Sequence, residues 1–285
     1  MKKFVFLLLC SIVFISVLPS FALDGKTPVL LFIGDGIENA EGYINEKIDL
    51  APIKLPKKIS HFELLETERA LLPDVLKDQV GLWTSPLRTK YQDLKWLIPL
   101  SGVITALLLT DNEFSGVLTD NHNPSSTQKD ISKAFSQIGG YYPTLSTPGG
   151  LFLLGVVTKN ERLRETGILQ YEGLGNAAII GSVLQKIFGR NKPNNLKKGR
   201  GDFFEGSTSF PSGHSIAFWT LASVASHEYK DKKWVPIIAY SLATIVSASR
   251  LTQNIHFPSD VFAGALIGYL IGKYVVEHNS KTTHN

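Results

Sequence analysis

The sequence predicts an all-α fold, a helical bundle entered through an irregular lead-in. Three observations predict it. From residue 61 onward, apolar residues recur at helical spacing in long runs set apart from the charges. No stretch alternates apolar and polar residues as a half-buried strand does. Clusters of Pro and Gly cut the chain into pieces of helix length, at Tyr141-Tyr142-Pro143, at Thr147-Pro148-Gly149-Gly150 and across 191–201. With 285 residues, 44% of them hydrophobic and 19% charged, the chain has material for a sizeable core in one large domain or two small ones.

The first element is a targeting signal. Lys2 and Lys3 precede an apolar stretch over 4–18, and small residues stand at Ser20 and Ala22. This is the pattern of a secretory signal peptide over 1–22, cleaved after Ala22, and it predicts an exported protein in the periplasm or on the extracytoplasmic face of the membrane. Cleavage removes Cys10, the sole cysteine, so the mature chain has no disulfide to rely on. Losing Lys2 and Lys3 takes the formal charge from +4 to +2. So small a surplus, with no basic run interleaved with aromatics, gives no case for a nucleic-acid partner.

Residues 23–60 read as an irregular extension with scattered Pro, Gly and Lys, as in Ala51-Pro52-Ile53-Lys54-Leu55-Pro56-Lys57-Lys58. A short strand and turn at 30–36 is similar to the metal-binding entry segment of alkaline phosphatases, but the many Asp and His ligands those enzymes need do not follow. Helices are predicted over 61–80, 94–110, 128–139, 150–158, 166–189, 213–229, 234–249 and 259–276, with a polar tail at 277–285. Gly264, Gly268 and Gly272, four residues apart, mark a helix face built for close approach to a neighbour. A spanning helix needs about 20 apolar residues. The uncharged apolar window 96–110 falls short of that, Glu172 interrupts 168–184, and mean hydropathy is only +0.06. These windows predict buried helices of a soluble or membrane-associated protein. His61, His122, His227, His278 and His284 sit among polar residues and are expected to be solvated; Trp83, Trp96, Trp219 and Trp234 are expected in the core or at an interface.

Two segments carry chemistry. The first is Pro211-Ser212-Gly213-His214; the second is Ser249-Arg250, then His256, then Asp260. Pro258 suits the first turn of a helix, which places His256 just before that helix and Asp260 inside its first turn. A carboxylate there can reach back to the imidazole, fix its tautomer and leave the other ring nitrogen free as a nucleophile. Arg250 ends the preceding helix and offers a planar fork to phosphate oxygens. Ser212 and Gly213 open another helix, whose amides, hydroxyl and dipole make an anion site. His214, beside that site, can give a proton to a leaving oxygen and later take one from water.

In this order, with 215–248 between them, the two segments resemble the type 2 phosphatidic acid phosphatase (PAP2) and vanadium haloperoxidase superfamily. Ser209-Phe210-Pro211-Ser212-Gly213-His214 and His256-Phe257-Pro258-Ser259-Asp260-Val261 look like its bacterial members. The resemblance implies a helical PAP2-like domain over 61–276 and hydrolysis of a phosphomonoester or diphosphate through a phosphohistidine on His256. It implies that Asp260 orients His256, that His214 is acid and then base, and that Arg250, Ser212 and Gly213 hold the phosphoryl oxygens. No metal or other cofactor is implied; vanadate enters as an inhibitor, or as the cofactor if the chain is instead a haloperoxidase. A phosphate-binding relative with weakened turnover is the other alternative. The implied partner is a phosphorylated small molecule or a lipid such as phosphatidic acid or polyprenyl diphosphate. The family's first motif, a Lys, six residues, then Arg-Pro, is altered here: Gln185 stands at the Lys position and Lys192 at the Arg position, before Pro193. Lys192 keeps the charge without the bidentate geometry, and Gln185 donates hydrogen bonds without charge. Arg190, between them, reads as a helix C-terminal cation.

Overall fold

Local signals set the helix ends. Asn160 lies just ahead of a helical run, and its Oδ1 accepts the N–H of Leu163 at 3.2 Å, capping the helix that follows. Gly189 closes that helix in the left-handed region at φ +51°, with its N–H on the Gln185 carbonyl. Pro258 opens the last helix, where its missing N–H removes no bond. The structure, a computed structural model, describes residues 61–120, 140–195 and 201–282. The signal peptide expected over 1–22, the lead-in 23–60 and the helix expected over 128–139 lie outside the described residues.

Seven α-helices are described: α1 His61–Thr84, α2 Leu94–Asp120, α3 Tyr141–Thr158, α4 Glu161–Phe188, α5 Gly213–Glu228, α6 Trp234–Thr252 and α7 Pro258–Thr282. Short 3-10 turns at Ser85–Arg88 and Tyr91–Asp93 join α1 to α2, and a third, Pro193–Asn195, follows α4. Among the described residues there is no strand, as the all-α reading requires. Two boundaries correct the sequence reading. The Pro and Gly clusters at 141–150 do not break the chain but lie inside α3. The last helix continues past 276 to Thr282, taking in most of the expected polar tail.

The core sits around α5, which packs on α4, α6 and α7. Ala177 and Ile180 of α4, Ile216 of α5, and Ile271 and Val275 of α7 form its buried cluster. The glycine face read from the sequence lies in the α5–α7 contact. A Cβ at Gly264 would come 2.6 Å from the Ser212 carbonyl oxygen, one at Gly268 2.2 Å from that of Ile216, and one at Gly272 2.7 Å from that of Thr220. Polar contacts tie α1 to the bundle: Gln79 Nε2 donates to Asn176 Oδ1 at 2.6 Å, and Asn176 Nδ2 donates to Asp78 Oδ2 at 3.0 Å. His227, expected to be solvated, is half-buried, with Nδ1 on the Ser223 carbonyl at 2.7 Å.

Among the described residues, three stretches, Tyr91–Phe114, Trp234–Thr252 and Pro258–Asn279, are long and apolar enough to cross a membrane. This overturns the expectation that no window reaches spanning length. That expectation counted uninterrupted uncharged runs, whereas Asp111 of α2 is turned inward and paired, and Asp93 and Lys95 stand at the helix start. The faces turned away from the bundle are apolar: Trp96, Ile98, Val103 and Leu109 on α2, and Trp234, Ile237, Ile238 and Leu242 on α6, are exposed. Membrane association fits these faces.

Candidate active site

The polypeptide that follows α4 and the N-termini of α5 and α7 converge on one place. The segment after α4 pairs with the loop leading to α5: Phe204 N donates to the Phe188 carbonyl at 2.7 Å, Asn191 N to that of Asp202 at 3.0 Å, and Ser209 N to that of Arg190 at 3.0 Å. Ser212 N then donates to the Asp260 carbonyl at 3.0 Å, which locks the start of α5 onto the start of α7.

His256 is buried just ahead of α7, and its Nδ1 lies 2.9 Å from the Ser209 carbonyl oxygen. A carbonyl only accepts, so Nδ1 carries the hydrogen and Nε2 of the neutral ring keeps its lone pair. The sequence reading gave this orienting bond to Asp260. The structure gives it to the Ser209 backbone, while Asp260 Oδ2 stands 3.6 Å from Nδ1, close enough for charge attraction but beyond a hydrogen bond. Asp260 spends its bonds elsewhere: Oδ2 accepts Ser209 Oγ at 2.6 Å and the Phe257 N–H at 2.8 Å, and Oδ1 accepts Arg190 Nη1 at 2.5 Å.

Ser212 is the N-cap residue of α5, yet its side chain makes no capping bond, and its Oγ is buried without a hydrogen-bond partner. Its amide, expected to face an anion, is already given to Asp260, so the amides this helix could offer an anion start with Gly213. His214 follows in the first turn. Burial pushes its imidazole down to about 4, with the cation Arg250, His256 and Lys192 adding to the effect. Arg250, Lys192 and His256 thus each lie within electrostatic reach of His214. Arg250 is itself buried at the end of α6. Gln185 Nε2 donates to the Pro211 carbonyl at 3.0 Å and lies 3.4 Å from where a Cβ on Gly213 would be. The position filled by Lys in the family motif thus holds a residue that braces the loop ahead of His214.

All eight residues singled out from the sequence are therefore gathered at the helix ends around His256. Three more were not. Arg190 is not a simple terminal cation: it is buried and bonded to Asp260 and to Asp111 of α2. Ser209 supports both His256 and Asp260. No local pattern marks Asp111, because its partners lie far along the chain.

Residues 169–282 match the PAP2 superfamily profile. The chain is 30% identical over 109 residues to the lipid A 1-phosphatase of Porphyromonas gingivalis, covering 37% of this chain and 22% of that protein. It is 32% identical over 117 residues to phosphatidylglycerophosphatase B of Bacillus subtilis, covering 37% of this chain and 54% of that protein. It is 26% identical over 167 residues to the undecaprenyl-diphosphatase of Sulfolobus acidocaldarius, covering 56% of this chain and 75% of that protein. The chain thus spans less than two thirds of the first two relatives' length.

Proposed function

We propose that the chain, whose residues 169–282 match the PAP2 superfamily profile, is a membrane-embedded phosphatase that hydrolyses a lipid phosphate through a phosphohistidine on His256. The observation that carries this reading is the His256 ring itself, its Nδ1–H held by a backbone carbonyl and its Nε2 left free beside a cationic pocket and a second imidazole.

The steps follow from the groups present. The phosphoryl group sits against Arg250, Lys192, the Ser212 hydroxyl and the Gly213 amide. Nε2 of His256 attacks phosphorus, the bond to the leaving oxygen breaks, and that oxygen takes its proton from His214. His214 then removes a proton from water as the water oxygen attacks phosphorus, the P–N bond breaks, and inorganic phosphate leaves. Before substrate binds, the half-buried His214 is neutral at pH 7, because its pKa is pushed down to about 4. The negative charge of an arriving phosphate pairs directly with the protonated form and so counters both the burial and the cations that disfavour it; His214 then takes a proton from solvent as substrate binds. No metal is called for.

Support for a lipid substrate comes from the apolar outward faces of α2 and α6 and from the names of the relatives above. We place the site on the extracytoplasmic face of the membrane, as the signal peptide expected over 1–22 would require. The deciding experiment is phosphate release by the detergent-purified protein from phosphatidic acid, a polyprenyl diphosphate and soluble phosphomonoesters, with EDTA and with vanadate. Turnover of a lipid substrate that survives EDTA and is blocked by micromolar vanadate is expected, since vanadate mimics the five-coordinate transition state. Halide oxidation after vanadate loading, without phosphate release, overturns the reading.

A further inference from the structure

α2 is an apolar helix with an anomaly. Over 94–114, where its side chains are described, one residue alone is buried, and it is a carboxylate, Asp111, at 1% exposure. An apolar helix that docks by a carboxylate accepts a desolvation cost that an aliphatic residue would not incur, unless the charge does something else. Asp111 Oδ2 accepts Arg190 Nη2 at 2.8 Å, and its Oδ1 accepts the Ser259 N–H at 3.1 Å; the Ser259 hydroxyl also bonds to it. The same guanidinium gives Nη1 to Asp260 Oδ1 at 2.5 Å and to Ser259 Oγ at 2.7 Å, and Nε to the Gly201 carbonyl at 3.1 Å. Its Cζ lies over two aromatic rings, 4.1 Å from the Phe257 centroid and 4.8 Å from that of Phe203. Phe257, Ser259 and Asp260, which follow His256 in the chain, are all held by this one group and its carboxylate partner.

We propose that Asp111 and Arg190 are positioning residues for the reaction, so that α2 is coupled to turnover at His256; this rests on the phosphohistidine reading above. The coupling is electrostatic as well as geometric. Two buried carboxylates share one guanidinium, so this cluster has a formal surplus of one negative charge on the Nδ1 side of the ring, where Asp260 Oδ2 stands 3.6 Å away. When Nε2 forms its bond to phosphorus and the leaving oxygen takes its proton from His214, the His256 ring, still holding hydrogen on Nδ1, becomes a cation. The surplus negative charge stabilises the ring in that state and not before, so its loss weakens the transition state more than the bound substrate. Neither Asp111 nor Arg190 belongs to the set that holds the phosphoryl oxygens.

Asp111→Asn keeps the shape and the acceptor for Ser259 but removes the charge. With phosphatidic acid in mixed micelles and with p-nitrophenyl phosphate, it is expected to lower kcat by about 10- to 100-fold, as loss of a partner that orients a reacting group does. KM should stay within about twofold. Asp111→Glu, which restores the charge, should recover part of the loss. A kcat per folded molecule equal to wild type, or a raised KM with unchanged kcat, overturns the proposal. If Asp111→Asn does not fold, Arg190→Lys carries the test, since one ammonium cannot bridge two carboxylates in this geometry: the same fall in kcat at constant KM is expected, and wild-type kcat overturns the proposal. Wild-type protein run alongside separates the two readings. If it yields no acid-labile phosphoenzyme, the phosphohistidine mechanism itself fails; if it does and the variants match it, the positioning role alone fails.

Discussion

At neutral pH the empty pocket holds His214 without a charge, because burial and the cations Arg250 and Lys192 push it down to about 4. In the unfolded chain the same imidazole titrates near 6.5. Between these values the unfolded chain binds the proton that the folded one refuses, so folding stability is at its full value above pH 6.5 and declines as pH falls towards 4. The span corresponds to at most about 3 kcal/mol. His214→Asn should therefore flatten the fall in thermal midpoint over that range, and an unchanged slope would show that His214 is not the group concerned. The histidines also differ kinetically. His256→Ala should abolish phosphoenzyme formation. His214→Ala should give a burst of p-nitrophenol and then stall, because a good leaving group needs little acid while water still needs a base. With a poor leaving group the loss should be on the order of 10²–10⁴-fold. Rapid quench with labelled substrate reads both, and a burst from His256→Ala would reverse the assignment. The residues of these steps were legible because each lies within a few positions of its motif partners. Asp111 and Arg190 were not, for Asp111 meets Ser259 only across 148 residues of chain and Arg190 meets Asp260 only across 70.

Among the helices, α5 and α7 meet most closely, through Gly264, Gly268 and Gly272. The four-residue spacing announced a close contact, and the structure supplies the partner, the backbone of α5. Gly268→Ala would place a Cβ 2.2 Å from the Ile216 carbonyl oxygen and 3.0 Å from the Thr220 nitrogen. Backbone cannot turn aside as a side chain does, so α7 must move, at a cost of about 1–3 kcal/mol. Because α7 begins just after His256, kcat should fall as well. Gly102→Ala on α2 meets nothing within 4 Å and should instead gain about 0.5–1 kcal/mol of helix stability. Thermal unfolding of both variants in one detergent would show opposite signs; equal effects would mean that the α5–α7 contact is looser than described. The same logic explains why α3 was misread. Pro143 stands in its first turn, where no N–H is needed. Farther along, a Cβ on Gly149 would lie 2.7 Å from Tyr171 Oη, and one on Gly155 2.4 Å from the Arg164 nitrogen. These glycines let α3 lie against α4, a need that tertiary packing creates and that single-chain propensity reads as a break.

For the molecule as a whole, the open issue in the sequence was water or bilayer. The uninterrupted apolar windows fell short of a span, and that criterion failed because it counted every charge alike. Asp111 faces inward onto Arg190, so it does not meet the surroundings of α2, while Trp96 and Trp234 stand near the N-terminal ends of α2 and α6, where amphipathic rings suit the boundary between headgroups and acyl chains. If those surroundings are hydrocarbon, the protein should stay with the membrane through a carbonate wash and leave it only with detergent. Retention alone can also reflect aggregation, so a point substitution is the stricter test. Val103 lies near the middle of Tyr91–Phe114 and faces outward, 44% exposed. In water, Val103→Lys should change stability by no more than about 0.5 kcal/mol, as surface changes do. In a bilayer it places an ammonium near the centre of a span, at a cost of about 2.5–3.5 kcal/mol on the scale of insertion measurements. The variant should therefore accumulate poorly in membranes and unfold earlier in detergent. Lys placed instead at position 92, at the helix start where a long side chain can reach the interface, should be tolerated. Release of the wild type by carbonate, together with a Val103→Lys protein as abundant and stable as wild type, would mean that these faces are not covered by lipid.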